Sequence, residues 1–337
     1  MINFIQFTIT RAALSIVTLL IVCFIVFSLM ELVPGTCAER YLAFKNTQGS
    51  QITFEEIEAE TKRLGLDKPF LYRYTKWVSD IVVKQDFGDS CILRISINEL
   101  LSGRFVLSLV IAITALLFSY AIAIPVGIIS ATTKYATLDN TLKFISYLGI
   151  ALPNFLVALC IMLFMTVYYG DTMTGLFSQE YENAPWSAAK VKDFLSRAWL
   201  PIFVLGWNAT AFALQTVRAL MLDESDKLYV MAARARGVSG MSLLWRYPAK
   251  HSLGPVINSI GFDLNRIFSA LPVVALILIL TEAGALLIEA LARSNDQQLA
   301  GAIIFLLTAT IVFVNFVTDI ILAIMDPRIR KGVMGGN

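Results

Sequence analysis

Tyr229-Val-Met-Ala-Ala-Arg-Ala-Arg-Gly-Val-Ser239 is a polar, basic island between two long apolar runs. Runs of that length read as membrane spans, so the island must lie at one face of a bilayer. Two readings compete for it: an ordered docking element, or a solvated connector. The rest of the chain bears on that choice.

The composition is that of a polytopic membrane protein. Of 337 residues, 57% are hydrophobic and 15% charged, where soluble domains carry about 25% charged residues. Mean hydropathy is +0.70. A bilayer core of about 30 Å requires about 20 apolar residues in a helix. Six segments qualify, near 10–33, 104–131, 143–169, 199–222, 257–281 and 300–325. None alternates with the period-two pattern of a β-barrel strand, and helices satisfy their own backbone in lipid. An all-α membrane domain with six spans is therefore expected. The first run is longer than a signal-peptide core of about 7–15 residues and lacks a small-residue cleavage site, which makes it a retained span.

Lysines and arginines in short connections set the orientation. Arg11, Lys134, Lys143, Arg218, Lys227, Arg234, Arg236, Arg246, Lys250, Arg328, Arg330 and Lys331 fall on one side. Lys190, Lys192, Arg197 and Arg293 fall on the other. The richer side is assigned to the cytoplasm, with both termini there and segment 34–103 outside. The organisation is then a first helix over 1–33, an external helical segment over 34–103, a membrane domain over 104–325 containing a cytoplasmic connection at 223–255, and a tail over 326–337.

In the external segment, Thr53-Phe-Glu-Glu56 has the spacing of a capping box. It predicts a helix to Leu64 that Gly65 stops. A second helix begins near Asp67 and Pro69, and Phe70, Tyr74, Trp77, Val78 and Ile81 form an apolar stripe along it. The stripe either packs on the ends of the spans or receives a partner. Cys37 and Cys91 flank this segment: they form a disulfide if it faces an oxidising compartment, or stay as two thiols. Cys23 and Cys160 lie within apolar runs as small apolar residues.

The 223–255 connection has helix chemistry. Asp223, Glu224 and Asp226 are placed to favour a helix N-terminus. Ala232, Ala233 and Ala235 are strong helix formers of little bulk. Gly237 suits a left-handed helix stop, and Ser239 suits the cap of a second short helix through Leu243 and Leu244. Pro248 and Pro255 mark a break before the fifth span. The result is a helix, a glycine turn and a second helix along the membrane surface.

Ala232-Ala233-Arg-Ala-Arg-Gly237 resembles the EAA loop of ABC importer permeases, in the form found in the dipeptide/oligopeptide permease family. Other matches follow in order: Gly65-Leu-Asp-Lys-Pro69 with Tyr74 and Trp77, Phe87-Gly-Asp-Ser90, Leu138-Asp139, Leu152-Pro-Asn-Phe155, Asn315 with Asp319, and Asp326-Pro-Arg-Ile-Arg330. Met231 stands where the loop's usual acidic residue would be. The fifth span reads Ala270-Leu-Pro-Val-Val-Ala-Leu-Ile277, without the family's glycine pair and following acidic residue. The resemblance implies a type I importer permease in a bacterial inner membrane. Its partners would be a second homologous permease, two ATPase subunits that carry ATP and Mg, a periplasmic solute-binding protein and the surrounding lipid. It also implies that Ala232, Ala233, Arg234, Ala235, Arg236, Gly237, Ser239, Leu243 and Leu244 couple the chain to an ATPase. Peptides are the first cargo expected, with oligosaccharide, glutathione, nickel or haem as alternatives in the same machinery.

Several polar residues fall inside the spans. Asp263 and Arg266 are spaced i, i+3 on the fifth, with Asn265 between them. They either form a neutralised pair at the cytoplasmic end of the helix or contact a partner subunit, or they line or gate a pathway. Asn315 and Asp319 on the last span are spaced i, i+4 and either form an interhelical bond or contact ligand, and Asn154 after Pro153, at a kink in the third span, is a candidate pore residue. No phosphate-binding G-x-x-x-x-G-K-[ST] loop is present. Neither a carboxylate pair nor a nucleophile–base set points to a catalytic site, and one histidine, His251, gives no basis for a metal site. A net charge of +2 does not point to nucleic acid. An ATP-independent secondary carrier would show inverted repeats and broken helices at the midplane, which the sequence does not display.

Overall fold

The computed structural model describes residues 2–32, 34–47, 53–133, 135–170, 173–182, 184–294 and 296–325. The Asp326–Arg330 signature and Lys134 lie outside them. The described residues are helical almost throughout. In chain order the helices are α1 (Ile2–Leu32), α2 (Cys37–Thr47), α3 (Phe54–Arg63), α4 (Phe70–Ser79), α5 (Ile97–Leu101), α6 (Arg104–Thr132), α7 (Ala136–Ala151), α8 (Asn154–Tyr169), α9 (Ala188–Ser225), α10 (Leu228–Ala235), α11 (Gly240–Arg246), α12 (Pro248–Leu278), α13 (Ala283–Ile288) and α14 (Gln297–Met325). Among them α1, α6, α9, α12 and α14 are long and apolar enough to cross a bilayer, and α7 with α8 makes a sixth span if the bent pair is counted as one. The chain divides into two compact units, 13–108 with 281–312, and 1–12 with 109–280 and 313–337.

Two spans differ from the sequence expectation. The third is not a continuous helix over 143–169. It breaks at Leu152–Pro153 and turns through 101°. Pro153 offers no amide hydrogen and excludes its predecessor from the helical region, and Leu152 is extended at φ −86°, ψ 121°. The 16 residues of α8 extend about 24 Å, short of the hydrocarbon thickness. The fifth span starts earlier than 257. Pro248 occupies the first turn of α12, where a missing amide costs nothing, and Pro255 is absorbed into the helix without ending it.

In the unit formed by 13–108 and 281–312, α3 ends at Arg63 and is followed by Gly65 at φ +67°. Thr53 occupies the cap position but its hydroxyl caps nothing. The reciprocal box forms instead at Thr36 and Glu39. The Thr36 N–H donates to Glu39 Oε2 at 3.0 Å, and the Glu39 N–H donates to Thr36 Oγ1 at 3.2 Å, opening α2. The α4 stripe packs on α1 and α14. Phe70 and Tyr74 meet Phe24 and Phe27 edge-on with centroids 5.4–5.8 Å apart, and Trp77 lies 6.0 Å from Phe305. Such aromatic pairs add about 0.5–1.5 kcal/mol each beyond their buried area. Arg73 of α4 also pairs with Glu31 of α1.

Cys37 and Cys91 are joined in a disulfide, with Cα atoms 5.4 Å apart across 54 residues of sequence. Beside it, buried Asp296 accepts from Ser90 Oγ and caps the start of α14 through the Leu299 N–H. Glu282 is wholly buried. Its carboxyl group accepts the Gly284 and Ala285 N–H groups at the start of α13 and the Ser108 hydroxyl.

The disulfide closes a long loop, so losing it should cost about 2–4 kcal/mol locally. In Cys37→Ser/Cys91→Ser, trypsin should cut within segment 34–103 at least about tenfold faster than in the oxidised parent, through local opening. Equal cleavage of the two, with two free thiols labelled in the unreduced parent, would show that the link does not form.

Candidate functional site

Two features of the 1–12, 109–280 and 313–337 unit carry functional chemistry: a surface hairpin and an intramembrane cavity.

The hairpin comprises α10, a turn and α11. Ala232 and its neighbours build a helix that ends at Ala235, and Gly237 takes φ +83°. An L side chain there would meet no neighbour. The demand is conformational, since only glycine occupies that region at no steric cost. Val230, Ala233 and Leu243 are buried against one another, with Tyr229, Val238 and Tyr247 around them. Leu244 packs instead beside Ile128, Val217, Met221 and Val256. Ala233, Leu243 and Leu244 therefore hold the hairpin together. Ala232, Arg234, Ala235, Arg236, Gly237 and Ser239 are exposed.

Sequence reasoning missed two exposed residues of α11, Met241 and Trp245, which are 63% and 46% exposed. Their i, i+4 spacing was the available signal for an apolar outer face. Ser239 stands at the cap position of α11 with extended backbone, but its hydroxyl makes no capping bond. Asp223 and Glu224 do not open a helix either: α9 runs on to Ser225, so they sit in its last turn. Glu224 accepts from the Tyr229 hydroxyl at 2.5 Å. Burial, and then that carboxylate, push the Tyr229 phenol above its ordinary range.

The root of the hairpin is pinned by charge. Arg218, near the end of α9, forms a two-bond fork with Asp139 of α7, both bonds 2.9 Å. Asp139 also accepts from Ser130 of α6 at 2.6 Å and pairs with Lys143 at 3.0 Å.

The cavity, about 460 Å³, lies among α8, α9 and α12. Asn154, Asn208, Asn265, Arg266 and Ser269 give it polar character, and Phe155, Leu205 and Val273 supply apolar wall. Asn154 Oδ1 is buried and has no hydrogen-bond partner. Asp263 stands behind Arg266 and is 4% exposed. It accepts from the Tyr120 hydroxyl of α6 at 2.6 Å and from Arg266 Nη1 at 3.3 Å. Because α12 begins at Pro248, Asp263 is about 22 Å along the helix rather than in its first turns. The pair thus sits at mid-helix. Tyr120 and Phe212, the ring beneath the Arg266 guanidinium, had no local signal; they reach the pair only through the fold.

Asn315 and Asp319 are elsewhere. Gly261 of α12 lets α14 approach so closely that a Cβ there would lie 1.5 Å from Asn315 Oδ1. Asp319 pairs with Arg11 of α1 at 3.1 Å. Among the described residues no cluster of three or more metal-ligating side chains occurs.

The chain belongs to the family of binding-protein-dependent transport system inner membrane components, which matches residues 123–331, with the family's N-terminal part matching residues 4–95. It is 28% identical to the oligopeptide transport system permease protein AppB of Bacillus subtilis over 96% of this chain and 99% of that one. It is 30% identical to the inner membrane ABC transporter permease protein YejB of Escherichia coli O157:H7, over 84% and 79%. The dipeptide transport system permease protein DppB of E. coli K12 is 25% identical over 96% and 98%. Among solved structures, an inward-facing form of the MetNI methionine ABC transporter shares the fold, with a TM-score of 0.54 at 16% identity, over 68% of this chain and 97% of that one.

Losing the Arg218 fork removes two charge-assisted hydrogen bonds from a half-buried site. Arg218→Gln should cost about 1.5–3 kcal/mol and lower the melting temperature of the purified protein in detergent. Asp139→Asn should lower it less, because its carbonyl oxygen still accepts one bond. Unchanged melting in Arg218→Gln would remove the fork from the account of how the hairpin is anchored.

Proposed function

We propose that this chain is the permease subunit of an ATP-driven importer of peptides, forming half of the transmembrane pathway with a second, homologous permease. The observation that carries the reading is the α10–α11 hairpin. It is internally packed, anchored at its root by the Arg218–Asp139 fork, and left with Met241, Trp245, Arg234 and Arg236 facing outward. A connector between two spans has no need of a core of its own. An apolar and cationic outer face fits a groove on a partner.

The chain has no phosphate loop, so the ATPase is supplied by partner subunits, with ATP and Mg bound there. The excess of lysine and arginine on the hairpin side assigns that side to the cytoplasm, with both termini. Segment 34–103 then faces outward, where a disulfide persists and a binding protein delivers its solute. Peptides are the cargo by analogy with the permeases named for oligopeptides and dipeptides. In operation, ATP closes the ATPase pair, the hairpins move with it, and the spans pass from inward-open to outward-open. Such coupling requires that ATP and solute both bias the same two states.

Removing the apolar outer face should separate the chain from its engine. In Met241→Ser/Trp245→Ser, co-purification of ATPase subunits should fall more than about tenfold, as for loss of a buried tryptophan anchor. The amount of the permease in the membrane should not change. Gly237→Val, which is strained at φ +83°, should keep the subunits bound yet uncouple ATP hydrolysis from uptake of a labelled tripeptide. Full ATPase recovery and full uptake in both variants would exclude the hairpin as the docking element.

A further inference from the structure

The cavity in the 109–280 part of the chain contains a cation whose hydrogen-bonding capacity is only partly used. Arg266 gives one bond, at 3.3 Å, to Asp263. The other Asp263 oxygen takes the Tyr120 hydroxyl at 2.6 Å. Among the described residues Arg266 makes no other hydrogen bond. Its side chain is 43% exposed while Asp263 is buried, and Arg266 is among the residues that line the cavity.

The guanidinium is also fixed in orientation. It lies 3.7 Å from the centroid of the Phe212 ring, and cation–π stacking holds its plane. An arginine needed only to neutralise Asp263 gains nothing from presenting its free edge to the cavity. A planar cation with unused parallel donors is the standard recognition partner of a carboxylate. Around it lie groups suited to peptide bonds and tolerant of varied side chains. Asn154 Oδ1 is a buried acceptor without a partner, Asn265 and Ser269 follow on the α12 face, and Val273 and Leu205 form apolar wall. A volume of about 460 Å³ is in the range of small-ligand sites.

We propose that Arg266 binds a carboxylate of the solute in transit, so that the permease itself favours peptides with a free C-terminal carboxylate over their amides. The proposal rests on the peptide-importer reading, and its test keeps the two apart.

The assay uses the whole complex, with ATPase subunits, second permease and binding protein, in proteoliposomes supplied with ATP. Uptake of labelled tri-alanine is compared with that of tri-alanine amide. For Arg266→Gln, tri-alanine uptake should fall about tenfold, the loss of roughly one charge-assisted interaction, while amide uptake changes less than about twofold. A preference imposed by the binding protein would leave the ratio of the two rates the same in parent and variant, and that result overturns the proposal. Arg266→Gln also strands the Asp263 charge, so Asp263→Asn/Arg266→Gln serves as the control for folding. Loss of the preference in this neutral pair supports carboxylate recognition. Restoration of the parental preference would show that Arg266 only neutralises Asp263. A parent complex that hydrolyses ATP but takes up neither peptide would instead sink the peptide-importer reading.

Discussion

The hydrocarbon interior allows no backbone polar group to go unpaired, and this governs where the chain is helical and where it stops being so. Each break in helix is matched by a local remedy. At Pro153, where the chain bends by 101°, the Leu152 N–H returns to Leu148, and the Pro153 carbonyl accepts the Leu156 and Val157 N–H groups. At the end of α12, Ile279 takes a left-handed conformation, the Leu280 N–H returns to Ala275, and the Leu278 carbonyl accepts from Gly175. At the start of α13 a side chain does what backbone cannot: the Glu282 carboxylate takes the exposed amides.

The same constraint sorts the buried charges. Glu282 is satisfied by two amides and a hydroxyl. Asp263 is satisfied by a phenol, a nearby serine hydroxyl and one bond from Arg266. Asp139 has a full fork from Arg218. Arg266 gives Asp263 one bond where Arg218 gives Asp139 two.

In the proposed function the hairpin and the cavity divide the labour of an importer. The hairpin is a rigid, shallow surface: alanines keep α10 slim, Gly237 turns the chain, and Val230, Ala233 and Leu243 make the two short helices one body. For the proposed coupling role rigidity matters, because a flexible element would absorb the motion it is proposed to transmit. The cavity is the reverse, a mixed polar and apolar wall with few fixed groups, which suits a cargo of varied side chains and constant backbone.

Hydrophobic run length determined the number and rough place of the spans, because crossing lipid is a one-dimensional requirement that the chain meets locally. Local turn chemistry likewise determined the helix–glycine–helix hairpin, the stop at Gly65 and the α4 stripe. Capping was less legible. Thr53–Glu56 and Thr36–Glu39 share one spacing, and only the second forms its bonds, because the path of the chain into the helix decides whether the two side chains meet. The early start of α12, and with it the mid-helix position of Asp263, turned on prolines that a helix can either stop at or absorb. Tertiary structure alone joined Cys37 to Cys91, set Tyr120 and Phe212 around Asp263 and Arg266, and parted Asn315 and Asp319 from the cavity. Those are pairings between residues far apart in sequence, and a pattern read along the chain carries no record of which helix faces which.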